Sequence, residues 1–276
     1  MADFEGVCWI CCEADDDLLS TGCACRGSAG LGHLNCLIRA AEARVDLWTT
    51  CPTCTQQWSG PVDVGLARAR WDRMRDRAED DEERLFVGNN LAVALNESAG
   101  DVDGALALME EVLAVRRRTL GDEHPATLDS IANLALQHHE MGHYDLALPL
   151  SEDLVSVARR ALGPEHETTL VAAVSLAALL SSMGEDARAR PLHEAALAAR
   201  QRTLGEAHLE TMNSTFLLGV CLGRLGDRKA ALAMLDRATD TARRVLGEAH
   251  PSTKHYSAGS KEWRARFSDP RVTLEP

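Results

Sequence analysis

Three cysteines and a histidine fall in the eighteen residues CACRGSAGLGHLNCLIRA, from Cys23 to Ala40. They belong to a larger set. In chain order the metal-avid side chains are Cys8, Cys11, Cys23, Cys25, His33, Cys36, Cys51 and Cys54, eight donors within 47 residues. The pairs CWIC, CAC, HLNC and CPTC each let one turn of backbone present two ligands to one ion. Eight such donors are what two tetrahedral zinc ions require, with every coordination position filled by protein and none left for a water nucleophile. The expected cofactor is therefore two structural Zn2+, and no residue of the set is a catalytic candidate. A segment of this size buries too little apolar surface to fold without such help. Cys12 is a surplus thiol that, one residue along, stands as an alternative to Cys11. Cys221, in the apolar run TFLLGVCLGRLG, reads as a small buried hydrophobe.

The rest of the composition limits what the finger-like segment serves. The chain has 276 residues, is 45% hydrophobic and 26% charged, and carries a formal charge of −13. That balance repels phosphate backbones and anionic lipid surfaces, so neither nucleic acid nor membrane is an expected partner. Arg68, Arg70, Arg73, Arg75 and Arg77 form a local basic run, but AEDDEE follows at once, and the run reads as a solvated helix face. No basic start with an apolar stretch opens the chain, and no run of about eighteen apolar residues occurs. The expectation is an intracellular protein, cytoplasmic or nuclear, in which clustered thiols hold metal rather than disulfides.

Beyond the cysteines a phrase repeats: LGDEHPATL at 120, LGPEHETTL at 162, LGEAHLETM at 204 and LGEAHPSTK at 246, a step of 42. Other columns keep the step, among them Gly100, Gly142, Gly184 and Gly226, and Ala105, Ala147, Ala189 and Ala231. Within a period, apolar residues recur at helical spacing in two blocks separated by a glycine, which lets the first helix end in a left-handed turn. Each period is a helical hairpin. Alone it cannot bury its apolar face, and stacked copies bury it against one another as a solenoid with a concave inner surface. The small column Ala92, Ala135, Ala177 and Gly219 leaves room for close helix crossing. Asn90 to Asn133 spans 43 residues, which implies one inserted residue near 96–99. His124, His166, His208 and His250 recur too far apart to share an ion and read as helix caps.

These features resemble known families. The ligand order, and CRGSAGLGHLNCL in particular, resembles the RING-CH finger of the MARCH ubiquitin ligases, whose fifth ligand is histidine. That resemblance implies a cross-brace, with Cys8, Cys11, His33 and Cys36 on one ion and Cys23, Cys25, Cys51 and Cys54 on the other. It also implies a groove that docks a ubiquitin-conjugating enzyme, at the positions of Trp9, Ile10, Leu37 and Pro52. Two positions depart from the pattern: Ala40 stands where such ligases usually have tryptophan, and Thr55 where many have a cation. Trp48 or Trp58 either fills that gap or belongs to the core. A PHD finger shares the ligand order but places an aromatic where this chain has Thr49. The repeats resemble the 42-residue tetratricopeptide variety of kinesin light chains. This implies a client protein or peptide on the inner helices, with Asn90 and Asn133 at ligand-holding positions and Ser175 and Leu217 breaking the series.

The expected organisation is a RING-CH finger over 1–60, a linking helix over 61–78, an all-α repeat solenoid over 79–267 and a tail over 268–276. Four hairpins and a closing helix make up the solenoid. What the joined halves imply is a ubiquitin-protein ligase that recruits a charged conjugating enzyme through the finger and a client through the repeats. The competing expectation is a non-enzymatic adaptor in which the finger is a zinc-stabilised binding module, and a residual one is a kinesin-like cargo adaptor that binds motor peptides through 79–267 alone.

Overall fold

A computed structural model of the chain describes residues 8–11, 17–20 and 31–268. The chain divides into two compact units, 1–130 and 131–276.

In the first unit, strands β1 (Leu18–Ser20) and β2 (Leu31–His33) pair antiparallel, with Leu18 opposite His33 and Ser20 opposite Leu31. Helix α1 (Leu34–Ala43) follows at once, then a 3-10 turn at Val45–Trp48, and α2 runs from Gly60 to Met74. Leu37, Ala41, Leu47, Trp48, Cys51, Trp58, Val62 and Leu66 form the core. Trp58 is 4% exposed and donates its indole N–H to the Leu47 carbonyl at 2.9 Å. A buried indole needs such an acceptor, and the contact ties the loop after α1 to the start of α2. Both Trp48 and Trp58 are thus core residues.

Helix α2, expected as a linker, is part of this core through Val62 and Leu66, both 0% exposed. At its other end Trp71 lies against Gly88 of α3 (Glu82–Ala94), where a Cβ would come within 2.8 Å of the indole. The Arg84 guanidinium stands 5.5 Å from the centre of the same ring. One helix therefore packs on both the finger and the first repeat. The five arginines of 68–77, three on α2 and two just beyond it, form no open basic patch. Arg68 pairs with Asp101, Arg70 with Glu83, Arg73 with Glu42, Arg75 with Asp72, and Arg77 with Asp81 and Glu83.

The expected extra residue in the first repeat is absorbed as a π-helical turn at Leu95–Ala99. After it come α4 (Val102–Leu120) and α5 (Pro125–Glu140), then α6 (Tyr144–Leu162), α7 (Glu167–Ser182), α8 (Asp186–Thr203), α9 (Leu209–Arg224), α10 (Arg228–Leu246) and α11 (Pro251–Ser268). Alternate helices begin 42 residues apart: α4, α6, α8 and α10 at 102, 144, 186 and 228. Within the second unit α6 packs on α7, α7 on α8, α8 on α9, α9 on α10 and α10 on α11. The alanine column Ala105, Ala147, Ala189 and Ala231 is fully buried. In the small column, a Cβ on Gly219 would stand 3.0 Å from the Leu235 side chain.

The histidines of the repeated phrase cap helices. Nδ1 of His124, His166, His208 and His250 accepts the backbone N–H two residues on, at 3.2–3.3 Å. Two features went unread in the sequence. Arg116 and Arg200, one on α4 and one on α8, are 7% and 1% exposed. Arg116 donates to Ser130 Oγ at 2.6 Å, Arg200 to Ser214 Oγ at 2.9 Å, and Arg200 also pairs with Glu167 and Glu210. At the intervening positions of this column stand the buried alanines Ala158 and Ala242. The terminal guanidinium nitrogens that find acceptors offset the cost of burial, whereas Arg200 Nε is buried without an acceptor among the described residues.

The glycine of the repeated LG phrase is the other. Gly163 has φ 91° and ψ 164°, a region that essentially only glycine occupies. A Cβ there would meet nothing within 4 Å, so substitution acts through the backbone alone. Gly163→Ala is expected to lower stability by about 1–3 kcal/mol, read as a fall in the urea midpoint without a change in slope.

Candidate metal centre

Cys8, Cys11, His33 and Cys36 converge, with one donor atom from each lying within 4.8 Å of every other. Local structure explains how. Residues 8–11 form a tight turn that brings Cys8 and Cys11 to one side. His33 ends β2 and is the extended residue before α1, with φ −71° and ψ 135°. Cys36, three residues on, sits in the first helical turn, where that spacing places side chains on one face. The His33 Nδ1 atom is 3.3 Å from Cys11 Sγ and 3.8 Å from Cys36 Sγ. Cys8 is fully buried, and its sulfur accepts the backbone N–H groups of Ile10 at 3.4 Å and His33 at 3.5 Å.

The donor set fits zinc. Bonds of about 2.3 Å to sulfur and 2.0–2.1 Å to nitrogen, set tetrahedrally, separate the donors by about 3.5–3.8 Å. The distances from His33 bracket that range. Protonation argues the same way. Burial pushes the Cys8 thiol up, but the backbone donors from Cys11, His33 and Ile10, with the Cys11 side chain, outweigh it and bring it down to about 7. Cys36 is pushed up to about 11, by burial first and then by its contacts with Cys11 and Cys8. Crowding against its neighbours thus opposes ionisation of Cys36, and a divalent cation removes that conflict. The residues that would hold it are Cys8, Cys11, His33 and Cys36, and the ion would supply cross-linking between the N-terminal turn and α1.

Of the other expected ligands, Cys51 is buried and Cys54 partly so, in a turn closed by Cys51 N–H to the Gln56 carbonyl at 2.8 Å and Thr55 N–H to the Cys51 carbonyl at 2.9 Å. Thr55 takes φ 58°, a left-handed conformation unusual for a β-branched side chain. Cys23, Cys25 and the surplus Cys12 lie outside the described residues. One four-donor cluster is assembled among the described residues, and the second expected site is represented by Cys51 and Cys54.

The expected docking residues divide. Trp9 and Ile10 are half-buried at the edge of the finger's core, and Pro52 is half-buried in the Cys51 turn. Leu37 is a correction: at 2% exposure it fills the core and offers a partner no surface. Facing the same core from α1, Ala40 is half-buried. On the repeats, Asn90 on α3 and Asn133 on α5 are half-buried, Leu217 on α9 is half-buried and Ser175 on α7 is exposed. Leu136 and Val171 are 53% and 48% exposed, apolar neighbours of that series that the asparagine argument passed over.

Comparison with known proteins agrees with this architecture. A tetratricopeptide repeat model matches residues 84–160, 130–200 and 169–244. The chain belongs to the tetratricopeptide repeat family. Its N-terminal residues 8–56 match the RING-variant domain, so a finger of that kind precedes the repeats. Among solved structures, a putative kinesin light chain of Podosopora anserina with nearly identical TPR-like repeats aligns at TM-score 0.61 and 26% identity, covering 67% of this chain and 87% of that one. BtubC of P. vanneervenii aligns at TM-score 0.60 and 21% identity over 79% of this chain and 81% of its own, a likeness of fold. No curated protein matches the chain. Among the described residues no helix is long and apolar enough to cross a membrane.

Structural zinc in small domains binds with an apparent free energy of about 10–16 kcal/mol, more than a core of this size supplies. Chelation is expected to unfold the finger and red-shift the fluorescence of Trp48 and Trp58, now 8% and 4% exposed, with recovery on adding zinc. An unchanged spectrum in strong chelator contradicts the assignment.

Proposed function

We propose that the chain is a RING-CH-type ubiquitin-protein ligase. Its finger, residues 1–60, docks a conjugating enzyme that carries ubiquitin as a thioester; the helix over 61–78 joins it to repeats over 79–267 that hold a client; residues 268–276 are a tail. The observation that carries the reading is the Cys8, Cys11, His33 and Cys36 cluster, whose first turn carries Trp9 and Ile10, within the segment that matches the RING-variant domain. Two zinc ions complete the finger, with Cys23, Cys25, Cys51 and Cys54 at the second. The activity belongs inside the cell, where thiols stay reduced.

Chemistry of this kind asks little of the finger beyond placement. The reacting groups are the thioester on the docked enzyme and a client amine, and holding them together converts an encounter into a near-unimolecular step. Ile10 and Pro52, from the two ligand turns, and Trp9 beside Ile10 form the docking surface, with Leu37 supporting it from below. Asn90 and Asn133 bind the client backbone, and the exposed Leu136 and Val171 add apolar contact.

The non-enzymatic adaptor is the second reading, and a specific observation favours it. With Trp48 and Trp58 in the core and alanine at position 40, Trp9 is the one large aromatic that the described residues of the finger offer the docking surface. The two readings separate in a discharge assay, in which a panel of conjugating enzymes charged with ubiquitin transfers it to free lysine. The ligase reading expects the zinc-loaded chain to accelerate discharge with at least one enzyme. Ile10→Ala should remove about 1.4 kcal/mol or more of docking energy, a tenfold slowing at subsaturating chain. No acceleration across the panel establishes the adaptor.

A further inference from the structure

Of the 29 basic residues, only Lys229, Lys254 and Lys261 are lysines; every basic residue before Lys229 is arginine. The three lysines are exposed on α10 and α11. Arg44 and Arg202 use two guanidinium nitrogens on one carboxylate, but several other exposed contacts do not require arginine. On the exterior of the first unit, Arg68 reaches Asp101, Arg73 reaches Glu42 and Arg75 reaches Asp72, each through a single guanidinium nitrogen. An ammonium makes such an exposed pair as well. Buried Arg200 differs: one terminal nitrogen serves Ser214 and Glu210 while the other reaches Glu167, which takes a branched donor.

What sets arginine apart at the exterior positions is its chemistry toward an acyl group. Guanidinium keeps its proton at any physiological pH and does not attack a thioester, whereas the lysine amine does when uncharged. In such a transfer the neutral Nζ forms a bond to the ubiquitin carbonyl carbon, the carbon–sulfur bond breaks, the thiolate leaves with the electron pair, and the surplus ammonium proton passes to it or to water. Arg73 bridges α2 to α1 of the finger through Glu42, so this end of α2 stands beside the domain to which a charged enzyme would dock.

We propose that the finger, α2 and the first three repeats present a surface without side-chain amines, which spares the chain from the transfer it promotes, and that Lys229, Lys254 and Lys261 are its self-modification sites. The inference rests on the ligase reading and adds a modification site and a form of self-protection to it.

The test uses the full zinc-loaded chain, a ubiquitin-charged conjugating enzyme, and two readouts: discharge to free lysine, and self-modification mapped by mass spectrometry. Native chain should carry ubiquitin at those three lysines, and combining Lys229→Arg, Lys254→Arg and Lys261→Arg should abolish it with discharge to free lysine unchanged. Arg75→Lys in that lysine-free background should restore self-modification to at least about tenfold above native chain, because a tethered amine beside the dock reacts at high effective concentration. Intact discharge with no more self-modification in the Arg75→Lys chain than in native chain overturns this inference alone. Absence of discharge in every variant overturns the ligase reading and this inference together.

Discussion

Convergence of three sulfurs and one imidazole on a single point is the constraint that shapes the finger. A strand end, a helix start and a turn far back in sequence must meet within 4.8 Å at Cys8, Cys11, His33 and Cys36. Once they meet, α1 has a fixed origin and direction, Leu37 and Ala41 point inward, and Trp58 closes over them through its bond to Leu47. Helix α2 then leaves with Val62 and Leu66 already buried. Its far end is held in turn by Trp71 against Gly88. The four-donor convergence and the packing of α2 thus connect the finger to the first repeat helix.

The repeats obey a different logic, one in which no side chain is indispensable but a period is. Alanine columns set how closely helices cross, glycines end helices where other residues would be strained, and capping histidines satisfy backbone N–H groups at four helix starts. Where the period slips by one residue, the surplus is stored in a π turn at Leu95–Ala99 rather than spread through the stack. Such a turn widens one helical turn, and α4 then begins 42 residues before α6.

The sequence was most legible where physics is local or periodic. Ligand spacing announced the donor cluster, the 42-residue step announced paired helices at a constant interval, and a 43-residue interval announced one extra residue near 96–99, which the structure holds as a π turn. Capping by the histidine column was legible because equivalent loops recur. What escaped was decided by depth. Leu37 looks like any apolar helix residue beside a ligand, and nothing in its neighbours says that it faces inward. Arg116 and Arg200 read as charged surface positions, because their partners Ser130 and Ser214 lie on the next helix and only packing brings them together. Trp48 and Trp58 were open between groove and core for the same reason.

Zinc-edge X-ray absorption on the purified chain tests the metal-built finger most directly. The account predicts retained zinc with a shell dominated by sulfur at about 2.3 Å and a minor nitrogen component at about 2.0 Å, as one three-sulfur, one-nitrogen site and one four-sulfur site give. A shell made mainly of oxygen and nitrogen, or zinc lost on dialysis, contradicts it.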